Sequence, residues 1–273
     1  MALYDDIGHD YDDTRKADSL ILDNLCDCLN AHKSNYYLEI GCGTGNYLIG
    51  MFERGYKNIV GLDPSELMLN TAREKCKGKG IERDPSSWIH AFAENLPFQN
   101  DFFDGVFCIN ALHHIKKRNR GSVFNSVFHV LRNGGRFVIF TSSHAQIDRY
   151  WLNYYFPKAM ETLKSYMPEI NTITSELRAA GFKNISTKPY FIDENLTDLF
   201  LYSRKYEPKA YLDENFRNNM SLFKVKIIDR KEITTGLKLL SNDCSSGEVY
   251  GIINREKYDN IHLGDYSFIV CEK

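Results

Sequence analysis

Short apolar runs alternate with amphipathic stretches between residues 36 and 141. The runs are rich in β-branched and aromatic residues, which predicts strands, and the stretches between them carry apolar residues at helical spacing. The predicted strands are Tyr36–Ile40, Ile59–Leu62, Trp88–Phe92, Val106–Asn110 and Arg136–Thr141. The predicted helices, each followed by a glycine stop, are Tyr47–Arg54, Glu66–Lys77 and Ser122–Leu131. This alternation predicts an α/β fold with a parallel sheet and helices on both faces.

The pattern continues on both sides of this region with helices Ser19–Leu29 and Ser175–Ala180 and strands Ile185–Ile192 and Tyr266–Glu272. Two stretches, residues 142–172 and 193–262, break the alternation, and long insertions in an α/β domain are usually functional covers. The predicted division is an N-terminal helical cap at residues 1–35, a core at 36–192 and 263–273, and an insertion at 193–262 that acts as a substrate lid.

Composition narrows the class of protein. The 273 residues have a formal net charge of −2 with both signs mixed, and no long basic block indicates a nucleic-acid footprint. The seven cysteines are scattered without a C-x-x-C pair, which predicts reduced thiols and no metal site. The first residues lack an apolar signal core, and no run is long enough to span a bilayer. We therefore expect a soluble cytoplasmic protein, without a membrane partner, that is a monomer or a homodimer.

The most informative motif is a glycine turn, Glu39-Ile-Gly-Cys-Gly-Thr-Gly45, between the first predicted strand and helix. Glycines permit a tight turn and let a ligand approach the backbone, and free N–H groups at the helix start face that ligand. Dinucleotide-binding turns favour G-x-G-x-x-G, whereas this turn reads G-x-G-x-G. Glu39, just ahead of it, suits a ligand that carries an ammonium group.

Asp63 closes the second predicted strand. A carboxylate at this position can accept two hydrogen bonds from a ribose diol. Asp63 could instead cap the following helix, but Ser65 can fill that role. The ribose interpretation is therefore favoured.

Five motifs occur in order: the glycine turn, Asp63-Pro-Ser65, Ala93-Glu-Asn-Leu-Pro-Phe98, Phe103-Asp-Gly-Val-Phe-Cys-Ile-Asn-Ala-Leu-His-His-Ile115 and Leu131-Arg-Asn-Gly-Gly-Arg-Phe137. With them the chain resembles the class I S-adenosylmethionine-dependent methyltransferases, in particular the group related to ubiquinone and menaquinone methyltransferases. The resemblance implies a Rossmann-like, seven-stranded, mostly parallel sheet with an antiparallel last strand. It also implies S-adenosyl-L-methionine as cofactor and S-adenosyl-L-homocysteine as its product.

The resemblance assigns the methionine part of the cofactor to Glu39 and the glycine turn, the ribose to Asp63, and the adenine to residues before Leu96. Many relatives have an aspartate where this chain has Phe92, so the adenine stacks on that ring or contacts the Ala93 backbone or Glu94. An N-terminal segment resembles the leader that folds over the cofactor, with anchoring of a surface helix as the alternative. The predicted cofactor-binding residues are Tyr11, Arg15, Glu39, Gly41, Cys42, Gly43, Gly45, Asp63, Pro64, Ala93, Glu94 and Asn110.

Methyl transfer needs chiefly in-line alignment of the acceptor, which can supply roughly 7–11 kcal/mol, so no obligatory catalytic residue is expected. His113 and His114 follow the fourth strand at the sheet edge where open α/β folds build their sites, and they are the predicted catalytic residues. Capping of the following loop is the alternative role. The predicted acceptor contacts, for which aromatic packing is the alternative, are His144, Tyr150, Trp151 and Tyr154.

The predicted function is transfer of a methyl group to an O, N or C atom of a small-molecule acceptor. Two alternatives stay open: a methyltransferase that acts on RNA or protein, and a non-catalytic S-adenosylmethionine-binding regulatory protein. The glycine spacing disfavours a nicotinamide-dependent dehydrogenase.

Overall fold

The computed structural model of the chain describes residues 12, 15–82, 84, 87–218, 220–224, 229–259 and 262–273. The chain divides into two compact units. The first consists of Met1–Thr141, Ile170–Lys188 and Phe268–Lys273, and the second of Ser142–Glu169 and Pro189–Ser267. Most of the first predicted insertion and all of the second thus belong to one unit. The roles predicted for residues 1–35 as a cap and for residues 193–262 as a lid stay predictions.

Seven strands form one sheet in the order β3-β2-β1-β4-β5-β7-β6. Parallel pairing joins β1 to β2 and β4, β2 to β3, and β4 to β5. Lys273, just past the end of β7, exchanges backbone hydrogen bonds with Gly134 and Gly135 near the start of β5, so β7 runs antiparallel. The predicted fold class is therefore confirmed. The strands are β1 Tyr37–Ile40, β2 Ile59–Asp63, β3 Trp88–His90, β4 Phe103–Ile109, β5 Leu131–Thr141, β6 Lys183–Tyr190 and β7 Tyr266–Glu272.

Helices connect the strands and fill the second unit. None of the helices in the described ranges is both long and apolar enough to cross a bilayer. Within the described ranges, short 3₁₀ helices lie at Leu112–His114, Trp151–Tyr154 and Pro208–Leu212. The α-helices are α1 Ser19–Leu29, α2 Asn46–Glu53, α3 Glu66–Gly78, α4 Lys117–Val130, α5 His144–Asp148, α6 Pro157–Tyr166, α7 Ile170–Ala179, α8 Glu214–Asn218, α9 Ser221–Lys224, α10 Arg230–Ser246 and α11 Glu248–Asp259.

Local sequence explains where the first helix begins and ends. The Asp18 carboxylate accepts hydrogen bonds from the backbone N–H groups of Leu20 and Ile21, which would otherwise lack partners at a helix start. Asn30 ends the helix in the left-handed region, at φ 48°. The helix carries a buried apolar face.

The core of the first unit lies along the parallel sheet. Central strands β1 and β4 are almost entirely buried, as is usual for strands covered on both faces. Helices α4 and α7 contribute side chains to one apolar cluster with the sheet, including Phe124, Val127, Ile173 and Leu177. This packing fixes the carboxyl ends of the strands, from which the site is built.

Several predicted boundaries shift. The largest error concerns α4, which begins at Lys117 rather than Ser122 and ends before Leu131, the first residue of β5. The predicted Asn-Gly-Gly stop instead lies within β5, where Gly134 has φ +79° and the pairing register with β4 shifts. Strand β3 ends at His90, so Phe92 lies in the loop that follows.

Candidate active site

A cavity of about 550 Å³ lies in the first unit beside the carboxyl ends of β1, β2 and β4. This volume falls within the range of about 300–1,000 Å³ that is typical of small-molecule sites. Its lining combines the glycine turn with the loops after β2, β3 and β4. The lining residues are Ile40, Gly41, Gly43, Leu62, Asp63, Pro64, Met68, Phe92, Ala93, Glu94, Ile109, Asn110, Ala111, His114, Ile115, Lys116, Arg118 and Asn119.

The glycine turn requires its glycines for steric reasons. Gly41, Gly43 and Gly45 have φ of 67°, 52° and 73°, a region that other residues rarely adopt. A Cβ on Gly41 would lie 2.6 Å from the Ala111 Cβ, and a Cβ on Gly45 would collide with the Trp88 indole. The turn is therefore packed against the loop after β4 and against β3, while Gly41 and Gly43 also line the cavity.

Asp63 joins the glycine turn to the start of α3. Its Oδ2 accepts a hydrogen bond from the Gly43 backbone N–H at 2.9 Å, and its Oδ1 accepts one from the Ser65 N–H at 2.9 Å. Ser65 caps α3 through its own side chain, which accepts from the Met68 N–H. Asp63 is thus held on the cavity wall by the backbone on both sides of it.

Glu39 lies in the middle of the sheet, opposite Gly61 on β2 and Phe107 on β4, and is only 2% exposed. Its Oε2 receives no hydrogen bond from the described part of the chain. Burial, and to a lesser degree the negative charge of Asp63, raise the pKa of the Glu39 carboxyl well above its usual value. A cationic group brought next to Glu39 would supply the missing partner.

Asn110 carries an unsatisfied hydrogen-bond donor, whereas Glu39 carries an unsatisfied acceptor. Its Nδ2 is buried without a hydrogen-bond acceptor among the described residues, and its backbone is in the left-handed region at φ 49°. Strained backbone and orphaned polar atoms are typical of functional sites. Asn110 follows β4, the strand paired with the one that carries Glu39. Together they offer an acceptor and a donor that fit the ammonium and carboxylate groups of an amino acid such as methionine.

His113 and His114 lie side by side after β4, with ring centroids 4.0 Å apart, and His114 lines the cavity. Desolvation by the surrounding protein, and then the charge of Arg15, lower the pKa of His114 to about 4. Burial, His114 and Arg15 lower the pKa of His113 well below its usual value. Both rings are therefore neutral at pH 7 and can accept a proton.

Residues near the N-terminus are bonded to the glycine turn. The Asp12 carboxylate accepts hydrogen bonds from Thr44 Oγ1 at 2.6 Å and from Lys75 Nζ at 2.7 Å. The Asn46 amide donates to the Arg15 carbonyl at 3.0 Å. These bonds place the described N-terminal residues beside the start of α2. Tyr11, predicted to bind the cofactor with Arg15, lies outside the described residues.

The loop after β3 forms another part of the wall. Phe92 is 65% exposed and presents its ring at the cavity, whereas Ala93 is buried. The Asn119 side-chain amide donates a hydrogen bond to Glu94 Oε1 at 2.7 Å. An aromatic face and a held carboxylate are therefore available on this side of the cavity.

The predicted acceptor contacts belong to the second unit, and most of their polar atoms are bonded within it. The Tyr150 hydroxyl lies 2.6 Å from that of Tyr211, and the Trp151 indole N–H donates to the Lys205 carbonyl at 3.0 Å. His144 Nε2 lies 2.7 Å from the Met167 carbonyl oxygen, and its Nδ1 lies 2.7 Å from Glu169 Oε1. Of the four, Tyr154 is the one with a half-exposed ring. Their contact with an acceptor stays a prediction.

Three polar residues of the wall, Lys116, Arg118 and Asn119, escaped the sequence analysis. The predicted helix began too late, at Ser122, so the first turn of α4 was taken for a loop and these residues were not considered. The basic run that begins at Lys116, two residues after His114, was the available signal.

Comparison with known proteins agrees with this geometry. Residues 38–135 match the methyltransferase-domain family. The chain is 29% identical over 182 residues to the ubiquinone/menaquinone biosynthesis C-methyltransferase UbiE of Vibrio vulnificus, covering 59% of this chain and 68% of that protein. It is 26% identical over 183 residues to the demethylmenaquinone methyltransferase of Anoxybacillus flavithermus, with 59% and 76% covered. A methyltransferase candidate from an antibiotic biosynthesis pathway of Anabaena variabilis superposes with a TM-score of 0.73 at 26% identity, covering 95% of this chain and 99% of that one.

The chain has a Rossmann-like sheet, a G-x-G-x-G turn and an acidic residue that closes β2. Together with the similarity to these proteins, these features define a class I S-adenosylmethionine-dependent methyltransferase, with S-adenosylmethionine as its cofactor. Within this class the chain is similar to members of the ubiquinone and menaquinone methyltransferase group.

Proposed function

We propose that the protein transfers the methyl group of S-adenosylmethionine to an O, N or C atom of a small-molecule acceptor. The observation that carries this proposal is the pair of unsatisfied buried atoms, Glu39 Oε2 and Asn110 Nδ2, beside a cavity of about 550 Å³. The pair complements the amino-acid end of the cofactor, and Asp63 suits its ribose. The whole cavity, which would hold the cofactor, is of small-molecule size.

The cofactor supplies an activated methyl group on a positively charged sulfur. The chain's own residues hold the amino-acid end of the cofactor so that the acceptor approaches in line with the bond to the methyl group. Such alignment is a large source of rate acceleration. Glu39 and Asn110 bind the ammonium and carboxylate, and the glycine turn lets the ligand lie against the backbone. Held in this way by Glu39, Asn110 and the glycine turn, the cofactor would supply the methyl group to the acceptor, and its sulfur would keep the electron pair of the carbon–sulfur bond.

His114 is proposed to take the proton that an O–H, N–H or activated C–H acceptor loses. The ring lines the cavity and is neutral at pH 7 because desolvation lowers its pKa. A positioned base contributes about 10²–10⁴-fold, so it assists the reaction without being indispensable. His113 packs against His114 with the two rings tilted by 48°, and it is proposed to hold the orientation of His114.

The activities in the names of the similar proteins indicate which acceptors to test first. They include a C-methyltransferase of ubiquinone and menaquinone biosynthesis and a demethylmenaquinone methyltransferase. A hydroxylated aromatic or quinol ring is accordingly the first acceptor class to offer. We extend this to the present chain only as part of the proposal.

The test is methyl transfer from isotopically labelled S-adenosylmethionine to fractionated cell extracts that contain small molecules, RNA or protein. Label in the small-molecule fraction supports the proposal, and mass spectrometry of the product then identifies the acceptor atom. Label confined to RNA or protein would establish the macromolecule alternative instead. Tight cofactor binding without label in any fraction would favour a regulatory protein. The Asp63→Ala variant is the negative control, because it should lose cofactor and label together.

A further inference from the structure

Two basic side chains lie at the edge of the cavity. Lys116 and Arg118 line it at the start of α4, whereas Lys117 between them does not. Both lining residues are exposed, and neither side chain forms a hydrogen bond or an ion pair with a residue that the structure describes. Arg120, further along the same helix, is by contrast paired with Glu176. The cavity therefore has positive charge available for a ligand.

The stability of the helix does not explain the position of these cations. Lys116 is the cap residue of α4 but gives it no side-chain hydrogen bond, and the first turn of the helix has no acidic residue. The positive end of the helix dipole lies at this terminus, where acidic side chains are favourable and basic ones are unfavourable. A negatively charged ligand at this edge of the cavity would offset the repulsion.

Lys116 is close to the group that is proposed to take the acceptor's proton. It follows His114 by two residues, and both residues line the cavity. Their Cα atoms are no more than about 7 Å apart, since each residue extends the chain by at most about 3.6 Å. An acceptor that gives its proton to His114 therefore lies within reach of the long Lys116 side chain.

The carboxylates of the cavity wall are held by other partners. Asp63 accepts two backbone N–H groups, and Glu94 accepts the side-chain amide of Asn119. Neither carboxylate forms an ion pair with Lys116 or Arg118. The positive sulfur of the proposed cofactor would add a third cation to the same cavity. An acceptor that carries a negative charge would be attracted by all three, and a neutral acceptor would not.

We propose that Lys116 and Arg118 select a small-molecule acceptor that carries an anionic group, either a carboxylate or a phosphate. Ammonium and guanidinium groups bind both anions through charge-assisted hydrogen bonds. Two cations at a cavity of about 550 Å³ suit one such group, whereas a nucleic-acid backbone would need more basic residues over an open surface. This inference deepens the proposed function and rests on it, because it names the class of small molecule that is methylated.

The test uses the small-molecule fraction of a cell extract, divided by anion exchange into an anionic pool and a neutral pool. Each pool is incubated with the wild-type protein and isotopically labelled S-adenosylmethionine. We expect the label to appear in the anionic pool. Treatment of that pool with a phosphatase before the assay separates the two sources of charge: loss of the label indicates a phosphate, and retention of the label indicates a carboxylate.

Removal of the two charges should weaken the binding of the acceptor more than it slows the methyl transfer. Lys116→Gln combined with Arg118→Gln should raise the apparent KM for the anionic pool, measured by dilution of the pool, about 5- to 30-fold, with apparent kcat changed by less than about 3-fold. Lys116→Arg combined with Arg118→Lys keeps both charges and should keep KM within about 3-fold of the wild type.

Lys117→Gln is the matched control. It removes the same charge from the same turn of α4, but Lys117 does not line the cavity, so KM should stay within about 2-fold of the wild type. Calorimetry with S-adenosylhomocysteine should give the wild-type affinity for every variant, because the proposed contact is with the acceptor. Thermal unfolding checks that each variant is folded, and no loss is expected, since the replaced side chains are exposed.

Label confined to the neutral pool would overturn the inference alone, since methyl transfer to a small molecule would still stand. An unchanged KM in the double glutamine variant, or an equal rise in Lys117→Gln, would also overturn it. A loss of affinity for S-adenosylhomocysteine in the double variant would show that the cations hold the cofactor, and would count against the inference in the same way. Label confined to RNA or protein, or no label in any fraction, would overturn the proposed function and this inference with it.

Discussion

Replacement of Glu39 by glutamine separates the stability of the protein from its affinity for the cofactor. Glu39 is buried with an unsatisfied Oε2, and its pKa is raised well above the usual value. Glutamine keeps the shape of the side chain and carries no charge. It therefore removes the cost of burying an unpaired carboxylate, together with the negative charge that is proposed to face the ligand's ammonium group.

The direction of the pH effect follows from the raised pKa. A carboxyl with a raised folded-state pKa binds more protons in the folded than in the unfolded state between its two pKa values. Its contribution to stability is therefore present below the unfolded pKa of about 4.3 and is lost as the pH rises through the folded pKa. In that window the free energy of unfolding of the wild-type protein should fall, relative to Glu39→Gln, by at most about 1.4 kcal/mol per pH unit.

The effect on binding has the opposite sign. Loss of a hydrogen bond to a charged group costs about 1.5–3 kcal/mol, which corresponds to about a 10- to 150-fold rise in the dissociation constant of S-adenosylhomocysteine. The ammonium group of the ligand should also drive deprotonation of Glu39. Binding to the wild-type protein should thus release protons and become tighter with rising pH, and binding to Glu39→Gln should do neither.

Urea unfolding at a series of pH values measures the first effect, and calorimetry in buffers of different ionisation enthalpy measures the second. Glu272→Gln is the matched control, since Glu272 pairs with Arg136 away from the cavity and should leave the cofactor affinity unchanged. The reasoning is refuted if Glu39→Gln binds S-adenosylhomocysteine as tightly as the wild type and shows the same pH slope of stability.

Three further predictions concern the surroundings of the site. Gly45→Ala should lower the free energy of unfolding, measured in urea, by about 2–5 kcal/mol, because it places a side chain at a left-handed φ and against Trp88. Gly78→Ala, where an added Cβ would have no atom within 4 Å, should not lower it. Equal losses would contradict the steric argument. In NMR titrations His114 should change protonation near pH 4. Its contribution to the stability of the protein should decline as the pH falls from about 6.5 towards 4. A titration of His114 near pH 6.5 would contradict the desolvation argument. Lys75→Met should destabilise the protein by about 1–3 kcal/mol, because it removes hydrogen bonds to Asp12, Thr44 and Asn46. Lys79→Met removes an exposed ion pair with Glu53 and should destabilise the protein by about 0–1 kcal/mol. The reverse order of the two losses in urea unfolding would argue against the network.

The conformation of the glycine turn was predictable because it depends on local sequence. A turn such as Gly41–Gly45 specifies its own backbone conformation, and strand alternation fixes which loops reach the same edge of the sheet. The position of Asp63 beside the glycine turn follows from those two facts. The fold class was predictable for the same reason.

What could not be predicted depends on pairs that are distant in sequence. The hydrogen bond from Asn119 to Glu94 joins a loop to a helix whose start was misplaced, because Lys117–Gly121 carries little apolar periodicity. The aromatic residues after β5 gave a stronger pattern but an ambiguous one, since a buried ring and a ligand-facing ring look alike in sequence. Tyr150 and Trp151 are fully enclosed in the second unit, through partners some 50–60 residues away.

The charge arrangement of the site suits a reaction that moves one positive charge. Glu39 and His114 are both biased towards their neutral forms, by a raised and a lowered pKa respectively. A ligand with an ammonium group stabilises the ionised form of Glu39. Binding energy is therefore concentrated on the amino-acid end of the cofactor, which does not react. In the proposed reaction the charge lost from sulfur reappears as a proton on His114. Because the pKa of that ring is about 4, the proton passes on to water readily, and the base is restored before the next acceptor binds.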